Sequence, residues 1–308
     1  MFGTHTSCCV NAGCFSDAAP FNHLPVPKCP DQLKIQLTLF TRQGPKSGVR
    51  LTESNIPSEF HSNVKTIFVA HGWASSKKIR WVNDMKRELL KKGDFNFVQV
   101  LWHSRKINYA QSAADTRSVG AEVSNVAKQL VAKRLISPSH LWCIGHSLGS
   151  HVCGHTSRKY RFARITALDP AGPLFDADDG GLAKTDAAFV DVIHTNGNTL
   201  GTLRALGHVD FYPNKGGVQP ACKKLLHIGE NYFGGNICSH QLAQKLFTES
   251  INSPCKFRSD YSCRVPTSIP GSCTKCESRC QTMGYDASPH AAGGIFYLTT
   301  NSAKPYCK

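Results

Sequence analysis

Residues 141–154, Leu-Trp-Cys-Ile-Gly-His-Ser-Leu-Gly-Ser-His-Val-Cys-Gly, admit few local folds. Leu141 to Ile144 is a short apolar run of the kind that makes a fully buried strand. Gly145-His146-Ser147-Leu148-Gly149 follows at once and fits G-x-S-x-G, and Ser150 to Tyr160 reads as helix. Strand, sharp turn and helix form the context in which that pattern carries a nucleophile. Such a turn crowds backbone against backbone, so its flanks need residues without a Cβ, which Gly145 and Gly149 supply. Ser147 then stands at the tip of the turn with its hydroxyl exposed above the sheet edge. The bland alternative is an ordinary glycine turn; the flanking strand and helix favour the nucleophile.

The rest of the chain continues the same alternation. Strands are expected at Leu33 to Phe40, at Val64 to Ala70 (ending in His71-Gly72-Trp73) and at Phe95 to Trp102. Others are expected at Arg164 to Leu168 (ending in Asp169-Pro170), Val190 to Ile193, His208 to Tyr212 and Phe296 to Thr300. Helices are expected over 77–92, over 115–135, where Val119, Val123, Val126, Leu130 and Leu135 recur near helical spacing, and over 241–251. Apolar strands alternating with amphipathic helices imply an α/β fold, a mostly parallel sheet with helices on both faces. A length of 308 residues suits one such domain spanning 1–308. Its ends are a Cys-rich lead-in, 1–30, and a Cys-rich C-terminal extension, 255–308. No apolar run is long enough to cross a bilayer. The N-terminus lacks the charged start and apolar stretch of a signal peptide.

Fourteen cysteines bear on the compartment more than the terminus does. Their islands, set among Pro and Gly turns, resemble disulfide-closed loops of a secreted protein. Zinc is the rival, because Cys273-x-x-Cys276 has ligand spacing, but no second C-x-x-C pair follows it. Cys143 and Cys153 lie inside buried-looking elements and are expected to be free thiols acting as small apolar residues. The formal charge of +15 suits an anionic partner. Lysines and arginines are scattered, with no basic–aromatic platform, so nucleic acid is not expected. Anionic lipid headgroups fit better, at about 1 kcal/mol per basic residue near the surface.

A serine hydroxyl needs a base to take its proton, and the base needs an acid to orient it. Sites in open α/β sheets lie beyond the carboxyl ends of the strands, which makes Asp169 the natural acid. The order nucleophile, acid, base leaves His194, His208, His227, His240 and His290 as candidates. His240, two residues past Cys238, is the favourite on pattern. Two backbone N–H donors must meet the oxyanion, and Leu148 and Trp73 occupy suitable positions.

Taken together, His71-Gly72-Trp73, Gly145 to Gly149, Leu168 to Pro173, Phe189 to Thr195, Gly207 to Phe211 and Cys238-Ser239-His240 resemble the pancreatic lipase family over nearly the whole chain. The resemblance implies an α/β-hydrolase fold and ester hydrolysis on lipid aggregates or membrane surfaces in extracellular fluid. It implies Ser147 as nucleophile, Asp169 as acid, His240 as base, and Trp73 and Leu148 at the oxyanion hole. It also implies disulfides Cys8–Cys14, Cys222–Cys238, Cys263–Cys273 and Cys276–Cys280, leaving Cys9, Cys29, Cys255 and Cys307 unassigned.

Two departures from the family pattern matter. The 308 residues leave no room for the family's C-terminal β-sandwich, so neither that domain nor a colipase partner is expected. Of the family's calcium-binding stretch Asp186 fits one position, while Ala183 replaces an acidic residue; no cofactor is expected, with calcium the alternative that this half-kept stretch leaves open. The family's lid corresponds to Cys222–Cys238, with 15 residues between the cysteines, and its β9 loop to 196–206; both are short. Those truncations are similar to the ones in phospholipases A1, including venom members. A short lid leaves the groove open to a charged headgroup. Leu225, Leu226, Ile228, Tyr232 and Phe233 are then expected to touch lipid, and Lys223 and Lys224 to meet phosphate. The expectation is a secreted phospholipase A1, with triacylglycerol lipase as alternative and a non-catalytic lipid carrier on the same scaffold as the competing class.

Overall fold

The structure, a computed structural model, describes residues 4–73, 79–104, 108–177, 180–226, 232–264, 273–277 and 280–308, with backbone alone at 224–226, 232 and 233. A hairpin of β1 (Thr6–Cys9) and β2 (Gly13–Ser16) opens the chain. There follow β3 (Gln36–Phe40), β4 (Val49–Leu51), β5 (Thr66–Ala70), α1 (Arg80–Lys92) and β6 (Asn96–Leu101). Next come α2 (Tyr109–Ala132), β7 (Leu141–His146), α3 (Leu148–Lys159), β8 (Phe162–Leu168), β9 (Ala187–Ile193) and β10 (Val209–Pro213). α4 (Tyr232–Asn252), β11 (Tyr261–Cys263), β12 (Cys273–Lys275) and β13 (Gly294–Leu298) complete it.

One sheet takes the order β12-β11-β13-β10-β9-β8-β7-β5-β6-β3-β4. From β6 across to β13 every pairing is parallel, and the strands at both edges are antiparallel. β5 illustrates why the strands read as unbroken apolar runs. All five of its residues are buried, with Phe68 and Ala70 packing to one face and Ile67 and Val69 to the other. The first face is covered by Val119, Val123, Val126 and Leu130 of α2 and Val152 of α3. The second is covered by Val82, Met85 and Leu89 of α1 and Leu242, Leu246 and Phe247 of α4. This is the expected α/β-hydrolase architecture, with the ends of β5, β7, β8 and β9 opening on one edge. Among the described residues no helix is long and apolar enough to cross a membrane.

Several elements differ from the sequence expectation. β3 begins at Gln36, not Leu33, because Lys34 adopts a φ of +49° that ends the extended run. α2 starts six residues earlier than expected, at Tyr109, with the Asn108 side chain accepting from the Gln111 N–H as its cap. Its first turns bury Ser112, Ala113 and Ala114, small side chains that carry little hydropathy signal but allow close approach. α4 likewise starts at Tyr232, ahead of a Gly-Gly pair that argues locally against helix. The expected start of the first helix, at 77, lies outside the described residues.

Cysteine pairing brings one correction. Cys143 and Cys153 are not free thiols; they are bonded to each other, with their Cα atoms 5.6 Å apart. The reversal at Ser147 folds α3 back over β7, so residues four before and six after the turn meet. Cys8–Cys14, Cys222–Cys238, Cys263–Cys273 and Cys276–Cys280 pair as the resemblance implied. The unassigned four form Cys9–Cys29 and Cys255–Cys307. With all fourteen cysteines bonded, denatured but unreduced protein should give no colour with a thiol reagent; a signal of two thiols per chain would contradict the bridge across the turn.

Candidate active site

Ser147 joins β7 to α3 at φ +57° and ψ −125°, a conformation that a non-glycine residue holds only under constraint from its surroundings. The constraint is backbone contact. A Cβ on Gly145 would collide with the Gly149 carbonyl, and one on Gly149 would collide with the Ala70 carbonyl. Both glycines are thus required by the approach of α3 to β7 and β5. The Ser147 N–H donates to Leu168 O at 3.1 Å, tying the turn to the end of β8. No side chain caps α3, so the positive end of the helix, including the Leu148 N–H, faces the serine's surroundings.

The loop after β5 passes close to the serine: a Cβ on Gly72 would lie 2.6 Å from Ser147 Cβ. His71 holds that loop in place. Its Nε2 accepts from the Trp102 N–H at 3.2 Å, which leaves the proton on Nδ1, donated to Gly72 O at 2.8 Å. Burial lowers the His71 pKa to about 4, in keeping with this neutral ring. Trp73 follows, 40% exposed, with its ring edge-on to Tyr109 at 5.4 Å. The Tyr109 hydroxyl donates to Pro173 O, next to the exposed Leu174. Trp73 and Leu174, with Ile237 one turn before His240, are large apolar side chains left in solvent.

Asp169 stands directly after β8, fully buried, its N–H donating to Ile193 O. The Thr195 and Asn196 N–H groups donate to its Oδ1 at 2.6 and 2.9 Å. Its Oδ2 accepts from His240 Nδ1 at 2.6 Å, leaving Nε2 as the ring nitrogen able to take a proton. His240 sits on α4, two residues beyond the Cys222–Cys238 bridge. Of Ser147, Asp169 and His240, the last two are hydrogen-bonded to each other; Ser147 is joined to them through its neighbours, its N–H bonded to Leu168 O next to Asp169 and His146 packed with ring centre 4.5 Å from that of His240. The other candidate bases are committed elsewhere. His194 bonds Asp210 Oδ1 and Thr202 O, both at 2.8 Å, and stacks on Tyr212. His208 Nδ1 accepts from the Val190 N–H. His290 is exposed, and His227 lies outside the described residues.

Three contributors escaped sequence reasoning. Gly201 backs Asp169: a Cβ there would sit 2.5 Å from Asp169 Oδ2. Asn196 bonds Asn236 of α4 through its side chain while its N–H holds Asp169, linking Asp169 to the helix of His240 by a second route. His146 donates to the main chain of His240. Each contact spans distant residues, so no local pattern marks it. Of the expected lid residues, Lys223 is exposed beside Cys222. Lys224, Leu225 and Leu226 continue the same short helix and Tyr232 and Phe233 open α4, their side chains undescribed; Ile228 lies outside the described residues.

The stretch likened to a calcium site holds a guanidinium. Arg158 donates to Asp186 Oδ1 at 2.8 Å and Oδ2 at 3.1 Å, to Gly180 O at 3.0 Å and to Gly181 O. Asp186 Oδ2 also accepts from the Ala183 N–H. Oxygens already occupied by a fixed cation, with alanine at the second acidic position, do not fit a calcium ion. Among the described residues no cluster of three His, Cys, Asp or Glu could hold a metal.

Two predictions follow from these contacts. Gly201→Ala should leave the fold intact and push the Asp169 carboxylate away from His240, lengthening their 2.6 Å bond in a crystal structure of the variant; an unchanged bond would contradict the crowding. The buried histidines set an acid limit to stability. Burial lowers His71 and His151 to about 4, and holds His146 and His155 well below the usual imidazole value. The unfolded chain therefore binds more protons below pH ~6.5, and stability falls as pH drops from there towards 4. Tm measured between pH 7 and 4.5 should decline, less steeply in His155→Gln; a flat profile would contradict the assignment.

The model of the lipase family matches residues 5–306. Lipase member H-A of Xenopus laevis is 34% identical over 90% of the chain, which spans 64% of that relative's length. A probable phospholipase A1, magnifin, of Vespa magnifica is 35% identical over 92% of the chain and 88% of its own length. An inactive pancreatic lipase-related protein 1 of Canis lupus familiaris is 34% identical over 92% of the chain and 67% of its own. A solved α/β serine hydrolase from Xanthomonas campestris, described as lacking a lid, aligns at 17% identity with a TM-score of 0.33, covering 62% of this chain and 69% of its own. By its sequence match across nearly all its length, the chain belongs to the lipase family.

Proposed function

We propose that this chain is a secreted serine ester hydrolase of lipids that cleaves the sn-1 ester of glycerophospholipids. The observation that carries the hydrolase reading is the 2.6 Å bond from His240 to the buried Asp169, at the sheet edge where Ser147 is held in a strained turn. Ser147 Oγ attacks the ester carbonyl as His240 Nε2 takes its proton, and Asp169 keeps the ring oriented as it becomes cationic. The Leu148 and Trp73 N–H groups receive the oxyanion. His240 returns the proton to the leaving alkoxide, freeing lysophospholipid. Water, activated by the same ring, then releases the acyl group from Ser147 as a fatty acid. The reading calls on no metal, and Arg158 supplies a fixed cation in the loop before β9.

Support for the phospholipid substrate is the short loop closed by Cys222–Cys238, with exposed Lys223 at its base, and the similarity to magnifin along most of that relative's length. The basic surface favours an anionic lipid face over a neutral droplet. Neither colipase nor nucleic acid enters this reading. Wholly disulfide-bonded cysteines support an extracellular setting. The second reading, a non-catalytic lipid carrier, is favoured only by the likeness to an inactive relative. Ser147→Ala should reduce turnover by more than about a thousandfold, and the wild type should hydrolyse phosphatidylcholine vesicles faster than triolein emulsions. Undiminished turnover in the variant would refute Ser147 as the nucleophile; a wild type that turns over neither lipid would leave the carrier reading, and a clear triolein preference would turn the assignment to a triacylglycerol lipase.

A further inference from the structure

We propose that His146 is a positioning residue for the base: its Nε2–H, donated to the main-chain oxygen of His240, sets where the His240 ring stands relative to Ser147. This rests on the triad reading above and extends it to the side chain that precedes the nucleophile. The bond is 3.0 Å long and buried. A carbonyl oxygen only accepts, so Nε2 must carry the proton. His146 is the last residue of β7, its main chain continuous with the constrained turn, so its side chain is placed as firmly as Ser147 is. The His240 side meets it twice, through the carbonyl and through ring contact at 4.5 Å. On its other side the edge of Trp81 from α1 closes the ring in, at 5.9 Å.

His240 is otherwise tied to the acid through Nδ1 and to α4 through its backbone, and neither tie refers to the nucleophile. The His146 bond supplies that reference, a direct strut from the turn that carries Ser147 to the residue that takes its proton. The titratable groups facing His146 are His240 on α4 and His71 after β5, and burial with these neighbours keeps its ring neutral. Neutrality matters in turnover, because a second cation at this distance would oppose the imidazolium that His240 becomes. α4 is anchored independently by Leu242, Leu246 and Phe247 in the core, so loss of the strut should shift the base without unfolding the helix.

The test compares His146→Phe, which keeps a ring and loses the donor, with His146→Gln, whose amide can donate to the same oxygen. With a soluble ester such as p-nitrophenyl butyrate, His146→Phe should lower kcat 10- to 100-fold, leave KM within about twofold and displace the acid limb of the kcat–pH profile. His146→Gln should recover kcat to within about fivefold of wild type. Rates of labelling by a fluorophosphonate separate the layers of the claim. Wild-type protein labelled at Ser147, with His146→Phe labelled as fast, would overturn the positioning role while the triad stands. Wild-type protein that fails to label would overturn both. Equal losses in the two variants, accompanied by equal falls in Tm, would reduce His146 to a packing residue and overturn the proposal.

Discussion

Backbone packed against backbone at the turn after β7 is the constraint on which the rest depends. Gly149 lies against the Ala70 carbonyl and Gly145 against Gly149, so a side chain at either place would force α3 off the sheet. That closeness holds Ser147 at φ +57° and aims the uncapped start of α3 into the space around its hydroxyl. It also brings Cys143 and Cys153 within bonding reach, and the bridge between them fastens the strand to the helix across the very turn that needs fastening. An elbow of this kind costs of order 1–3 kcal/mol in backbone strain, and the buried parallel sheet with its stapled helix offsets that cost.

Around the elbow, polar groups are arranged by elements that are themselves fixed. β8 delivers Asp169, and the N–H groups following β9 saturate one of its oxygens, leaving the other for His240. α4 carries His240 between two buried ties, Asn196–Asn236 on the Asp169 side and His146 on the Ser147 side. The loop carrying Trp73 is pinned by His71, whose tautomer is dictated by a backbone donor on one nitrogen and a backbone acceptor on the other. On the far side of α3, Arg158 clamps the helix to the loop before β9 through four oxygen contacts. In the proposed hydrolysis, preorganisation of this sort would let a few donors act without reorganising at the moment of reaction.

What the sequence made legible was whatever is encoded locally. Apolar strands, the glycine–serine turn, and the order of serine, aspartate and histidine could be read directly, and pattern joined by family resemblance pointed to His240 among five histidines. Contacts that depend on distant segments could not. Gly201 looks like any loop glycine until Asp169 is seen against it, and Gly72 until Ser147 is. The first turns of α2 were hidden because small residues pack there, and those of α4 because a glycine pair masks them. Cys143 and Cys153 had the burial of small apolar residues and were misjudged for that reason; only the reversal of the chain between them reveals the bond. Asp186 pointed towards calcium by likeness, and the guanidinium of Arg158, 28 residues away in sequence, fills the place instead.

The central claim is that the fold makes one serine hydroxyl a nucleophile by way of His240 and Asp169. Peptide mapping of native protein after brief exposure to a biotinylated fluorophosphonate tests it most directly. The account predicts a single stoichiometric adduct on Ser147, absent from heat-denatured protein and slowed by orders of magnitude in His240→Ala. Failure to label, labelling at another serine, or an undiminished rate in His240→Ala would contradict it.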